Sequence, residues 1–369
     1  MIPNRQHKYV LVYVGTYTTN SEEGIYWCRM NLTTGQLELI GEKKPITNPF
    51  FLTSSRKNNF LYATISSVAT NQGDPEPEGE IAAFSIEPTS GNLSLVSKQP
   101  SGGVFPCFLE LDLSERFILV GNYNSGSVAV LSLDNGHLGE PTDVVQHSGS
   151  SVNKTRQDGP HVHSIVLDPQ ERFAYAADLG TDKEMIYSFK ANEGKLIPAM
   201  QPWVKTVAGA GPRHFAFHPN GSYAYLLNEL NGTLTAFVHD SVTGTLHERQ
   251  TVKTLPTSFD GENYAADIQI VSNGNFLYCT NRGHNSIAVF GIDSHTGELT
   301  NIAHEPACGK WPWNIEIDPT DRFLIAANYE SDNVAVFEIN HKNGRLRPTG
   351  HEISVPKPTC VTIGPNSIH

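Results

Sequence analysis

The clearest alternation of apolar and polar positions lies between Gly211 and Glu229. In Gly211-Pro-Arg-His-Phe-Ala-Phe-His-Pro219, Phe215 and Phe217 alternate with smaller or polar neighbours. That two-residue period is the mark of a half-buried strand. Pro219-Asn-Gly221 predicts a tight turn. Ser222 to Leu227 then predicts a second, strongly apolar strand that ends at Asn228-Glu229. In an antiparallel pair the start of the first strand and the end of the second lie side by side. Arg213 and Glu229 are therefore expected to be neighbours.

The rest of the chain repeats this unit. The turn Asp168-Pro-Gln-Glu-Arg-Phe173 matches Asp318-Pro-Thr-Asp-Arg-Phe323 and Asp112-Leu-Ser-Glu-Arg-Phe117, and three looser copies begin at Ser55, His218 and Val271. A Gly-x-Leu turn recurs at Gly35, Gly91, Gly136, Gly194, Gly244, Gly297 and Gly344. The spacings are near the roughly 40–50 residues of a propeller blade. Each unit reads as four short strands, and the third is the plainest, as in Ser127-Val-Ala-Val-Leu and Asn333-Val-Ala-Val-Phe. Helical periodicity is absent. The fold expected is all-β: one seven-bladed β-propeller over residues 1–369, four antiparallel strands per blade. The first unit opens on a second-type strand, Tyr9 to Thr16, and the C-terminus supplies an orphan first-type strand, Pro358 to Ile363. These two are expected to pair and close the ring, which protects the sheet edges. Two stretches depart from the repeat. Gly73 to Glu80 is acidic and reads as a solvated insertion, and His147 to Gly159 is polar and runs straight into His161.

Composition narrows the function classes. With 26 basic and 38 acidic residues the formal charge is −12, which argues against a nucleic-acid footprint while leaving room for a local anion site. No apolar run approaches the roughly 18 residues of a membrane span. The start, Met1-Ile-Pro-Asn-Arg-Gln-His-Lys, lacks the apolar core of a signal peptide. Five scattered cysteines without a CxxC fit reduced thiols in a cytoplasm. No cofactor is expected.

Positions where the repeats differ are the better site candidates. The residue opening the first strand is, unit by unit, Phe50, Cys107, His163, Arg213, Ala266, Trp313 and Thr359. The residue just past the second strand is Tyr17, Ser66, Tyr123, Leu179, Glu229, Arg282 or Tyr329. Both positions fall at one mouth of the central channel. His163, Arg213, Glu229 and Arg282 should gather there from blades four to six, with Phe50, Trp313, Tyr17, Tyr123 and Tyr329 opposite. Polar groups converging on an apolar rim describe a small-molecule pocket. The competing structural reading makes Glu229 a bridge to Arg213 or Arg282. His161 and His163 share one strand face by alternation, but no carboxylate or Cys accompanies them in the motif, and no metal is expected. His214, His218 and His284 read as surface or supporting residues.

Five motifs carry a resemblance over essentially the whole chain: Tyr13-Val-Gly-Thr-Tyr-Thr18, Gly159-Pro-His-Val-His163, Gly211-Pro-Arg-His214, Asn228-Glu229 and Asn281-Arg-Gly283. Together they resemble the seven-bladed lactonase family, which includes bacterial 6-phosphogluconolactonases and fungal 3-carboxy-cis,cis-muconate lactonizing enzymes. The resemblance implies an active site of His163, Arg213, Glu229 and Arg282. It implies hydrolysis of a small anionic lactone such as 6-phosphoglucono-δ-lactone. With the aromatic wall from the repeats, the residues expected to touch substrate are His161, Arg213, Arg282, Trp313, Tyr329, Tyr17 and Phe50. His163 or Glu229 would be the base, and the arginines would hold phosphate or the oxyanion. With no GxSxG motif, direct water attack is expected over an acyl-enzyme. A muconate cycloisomerase and a non-catalytic binding propeller are the alternatives.

Overall fold

A computed structural model describes residues 8–17, 24–66 and 76–365. Residues 1–7, Thr18 and Gly73–Pro75, on which parts of the readings above fall, lie outside the described residues. Among those described, 28 strands form seven four-stranded antiparallel sheets and there is no helix. Each sheet is one blade, with its first strand toward the axis. The predicted hairpin is the inner half of the fifth blade, Pro212–Phe217 paired with Tyr223–Asn228. The ring closes as expected. Pro358–Ile363 pairs antiparallel with Tyr9–Thr16, with Val12 opposite Ile363 and Val14 opposite Val361.

The two repeated turns meet each other across the blade boundaries. In the Asp-x-x-x-Arg-Phe turn the carboxylate is a local cap: Asp168 accepts from the backbone N–H groups of Arg172 and Phe173, both at 2.7 Å. That fixes where Phe173 enters its strand. Its ring then packs on Gly244 of the next blade, which sits at φ +74°; a Cβ there would lie 2.5 Å from the ring. Tyr175, two residues on, donates from its hydroxyl to the Gly244 carbonyl at 2.8 Å. The same lock joins the fifth and sixth blades, where Tyr223 packs on Gly297 and Tyr225 donates to its carbonyl at 3.0 Å. The core consists of apolar clusters, most of them wedged between neighbouring blades, such as Tyr225, Leu227, Ile268 and Phe290.

Six of the seven inner strands open on an irregularity that the two-residue period does not foretell; Leu52–Ser54 of the second blade pairs in unbroken register. In the fifth blade Pro212 pairs with Asn228 and His214 with Leu227, so Arg213 has no opposite number. Cys107, His163, Trp313 and Thr359 are skipped in the same way, and in the sixth blade Ala266 and Asp267 both are. A bulge bends the strand and re-aims its side chain. Here Cys107, His163 and Trp313 are turned to one mouth of the channel and Asp267 to the other.

Candidate active site

Glu229 is the centre of the site. It follows the second strand of the fifth blade, held by its N–H to the Gly211 carbonyl at 2.7 Å. Its carboxylate is 3% exposed and receives three guanidiniums. Arg213 Nε and Arg282 Nη2 each lie 2.9 Å from Oε2, and Arg156 Nη2 lies 2.7 Å from Oε1. His163 Nε2 is 3.9 Å from Oε2. The four residues singled out from the repeats are thus assembled around one carboxylate, and Arg213 and Glu229 are the neighbours expected.

Arg156 was missed by that comparison because it belongs to no repeat. It comes from the polar loop before His161 and also donates to the Tyr123 hydroxyl at 3.1 Å. Its loop was the only signal. Phe105, Tyr264 and Trp311 were missed likewise, each being two residues before an aligned position rather than at it. The cavity in front of the cluster measures about 520 Å³. Arg156, His163, Glu229 and Arg282 form its polar side, and Tyr17, Phe50, Phe105, Tyr123 and Trp313 much of its apolar side. The Arg282 guanidinium lies over the Trp313 ring, 4.7 Å from its centroid, a cation–π contact that fixes its plane.

Three residues sit elsewhere than the channel-mouth picture suggests. Arg213 is 1% exposed and lies beneath Glu229, outside the cavity wall. Tyr329 backs Trp313, ring centroids 5.1 Å apart, without lining the cavity. His161 stacks on Tyr123 at 4.6 Å and its Nδ1 lies 3.1 Å from the Tyr123 carbonyl. The bulge at His163 breaks the alternation that would have given the two histidines one face, and only His163 reaches the cavity. His214 and His218 are buried rather than on the surface; His284 is half-buried.

The charges follow from this packing. Burial by itself would raise the pKa of Glu229, but Arg282, Arg213 and Arg156 outweigh it and bring the value down to about 2. Glu229 is therefore a fixed anion and a poor base. His163 is held well below the ordinary imidazole value, first by burial and then by Arg213 and His214. It is neutral at physiological pH, with one nitrogen free to accept a proton. Burial pushes the Cys107 thiol up to about 12, so its sulfur, 3.8 Å from His163 Nδ1, stays protonated. The thiol lies 3.5 Å from the His163 carbonyl, as a donor to it. Three cations and one anion give the site a net positive character in an acidic protein.

The sequence profile of the family described as "Lactonase, 7-bladed beta-propeller" matches residues 11–363. The chain is 34% identical over 350 residues to a 6-phosphogluconolactonase of Bacillus subtilis, covering 95% of this chain and 97% of the relative. It is also 34% identical to a 6-phosphogluconolactonase of Formosa agariphila, over 84% of this chain and 86% of that one. Among solved structures it superposes on a periplasmic gluconolactonase of Pseudomonas aeruginosa with a TM-score of 0.89 and 30% identity, covering 96% of this chain and 98% of that one. Ring, motifs and whole-length matches agree, and the chain belongs to the seven-bladed β-propeller lactonase family.

Proposed function

We propose that this protein hydrolyses a phosphorylated sugar lactone, 6-phosphoglucono-δ-lactone being the substrate that fits best. The observation that carries the reading is a neutral imidazole, His163, beside a carboxylate gripped by three guanidiniums. Water loses a proton to His163 Nε2 as its oxygen attacks the lactone carbonyl. The oxyanion that forms is stabilised by Arg282, with Arg156 free to take the phosphate at the outer side. The ring C–O bond then breaks, and the leaving alkoxide recovers the proton from the imidazolium. The carboxylate of Glu229 stabilises that transient imidazolium and anchors the arginines. This assigns the base to His163, because a carboxylate held at about 2 has almost no affinity for the proton. The aromatic wall packs on the C–H faces of the sugar and turns its carbonyl toward His163 and the attacking water.

The names carried by the relatives favour hydrolysis over the cycloisomerase and binding-scaffold readings. The compartment belongs to the same proposal. Among the described residues no helix is long and apolar enough to cross a membrane. All five cysteines are free thiols, four of them buried, which supports the cytoplasm; fractionation of producing cells checks it. The test of function is hydrolysis of freshly generated 6-phosphogluconolactone beside unphosphorylated gluconolactone, with spontaneous hydrolysis subtracted. A strong preference for the phosphorylated lactone is expected. No rate above background on either would overturn the reading.

A further inference from the structure

Behind Arg213, on the side away from the cavity, stands a second polar assembly that the hydrolytic chemistry leaves unused. The Asp267 carboxylate, contributed by the sixth blade's bulge, receives four donors. Oδ1 faces His214 Nδ1 at 2.7 Å and the Ile268 N–H at 2.9 Å. Oδ2 takes the Asn314 amide at 2.6 Å and the Ile315 N–H at 2.9 Å. A carboxylate oxygen offers only lone pairs, so the ring hydrogen of His214 is on Nδ1. Its Nε2 lies 3.2 Å from Arg213 Nη1, which offers only hydrogens. Nε2 is therefore the acceptor. Both neighbours select the same neutral tautomer, and a second proton would set N–H against N–H. Arg213 completes its contacts with the Ala266 carbonyl and, through Nε, Glu229.

We propose that Asp267 and His214 are positioning residues for the reaction: they fix the guanidinium of Arg213, and through it the carboxylate of Glu229 beside His163. The inference rests on the lactone-hydrolase reading of the site. The chain Asp267–His214–Arg213–Glu229–His163 crosses three consecutive blades, so it also ties the site's geometry to their packing. Neither His214 nor Asp267 lines the substrate cavity. Both line a separate space of about 550 Å³ at the opposite mouth of the channel, and Arg213 lines neither space. A change at Asp267 reaches the reaction through the residues it holds: Arg213 by way of His214, which also meets the His163 ring at 5.4 Å, and Asn314 and Ile315, which follow Trp313 of the cavity wall. Burial first, then the charge of Arg213, depresses the basicity of His214, in keeping with a neutral ring.

Two readouts on the full chain test this. The first needs no substrate: long-range 15N NMR of labelled histidine, with the His214 signals assigned by their loss in His214→Gln. Wild-type His214 should be the neutral Nδ1–H tautomer between about pH 5.5 and 8.5. An Nε2–H tautomer or an imidazolium there overturns the proposal. The second is kinetic. Asp267→Asn leaves one acceptor oxygen for four donors, and with His214→Leu it should lower kcat about 10- to 100-fold. KM should stay within about twofold. His214→Gln keeps a carbonyl for Arg213 and should recover part of the loss. Unchanged kcat, or a loss confined to KM, in variants that melt like wild type overturns the positioning role. Should these variants fail to fold, the wild-type tautomer decides. An inactive wild type instead sinks the hydrolase reading, and the positioning role with it, so the two failures are distinct.

Discussion

Arg156 Nη2 lies 2.7 Å from Glu229 Oε1 although 73 residues separate them, so a loop outside the blades completes the site. With 35% of its side chain exposed, Arg156 is the cation at this site best able to exchange its partner for an incoming anion. Arg213 and Arg282 are sealed in place around the other carboxylate oxygen.

Arg156→Ala should therefore act on recognition of the phosphate. KM for the phosphorylated lactone is expected to rise about 10- to 100-fold, the worth of one charge-assisted bond. KM for gluconolactone should change little. Equal losses on both substrates would assign the phosphate elsewhere.

Glu229→Gln removes the anion that three guanidiniums share. Turnover should fall at least about 100-fold as the imidazolium loses its counter-charge. Stability should fall by about 3–5 kcal/mol, because buried cations are left unpaired. Thermal and urea unfolding measure the second effect, initial rates the first. A variant with wild-type stability would mean the arginines are compensated by another group.

Arg213→Ala is expected to disturb the fold as well as turnover. The side chain is 1% exposed and holds Glu229, His214 and the Ala266 carbonyl together. Its loss leaves His214 Nε2 and the Ala266 carbonyl unsatisfied, at about 1–3 kcal/mol each, and takes one of three cations from Glu229. A melting curve identical to wild type would contradict this buried role.

Acid should weaken the protein in two windows. His163 is held well below 6.5 in the fold. Its contribution is complete above 6.5 and is lost as pH falls below that value, because the unfolded chain then binds the proton first. Glu229 falls from an ordinary 4.5 to about 2, so its contribution is present above 4.5 and is lost between there and about 2. Melting temperature should decline through both ranges. On the same grounds the acid limb of kcat/KM should lie well below pH 6.5; a limb at or above 6.5 would remove His163 as the base.

Gly244→Ala tests the lock between the fourth and fifth blades. At φ +74° with Phe173 2.5 Å from the new Cβ, the change should cost about 2–4 kcal/mol from backbone strain and overpacking. Urea unfolding checks it. A neutral result would mean the two repeated turns do not hold the blades together.

By itself the sequence determined what repeats. Strands of period two, capped Asp turns and seven Gly-x-Leu turns are local features, so the blade, its copy number and the ring closure of Tyr9–Thr16 with Pro358–Ile363 follow from them. The positions where copies differ brought out His163, Arg213, Glu229 and Arg282 for the same reason: equivalent positions on a ring must share one face. Tertiary structure decided what no repeat encodes. Arg156 is in a loop without period, and only the closed ring brings it to Glu229. Whether Arg213 faces substrate or lies beneath Glu229, and which histidine enters the cavity, depends on one unpaired residue at the start of the inner strand of the fifth and fourth blades. A bulge reverses the side-chain alternation beyond it, and its position is set by the neighbouring strand rather than by the local pattern. The tautomer of His214 and the charge of Glu229 are decided later still, by partners on other blades that burial forces to match donor with acceptor and cation with anion.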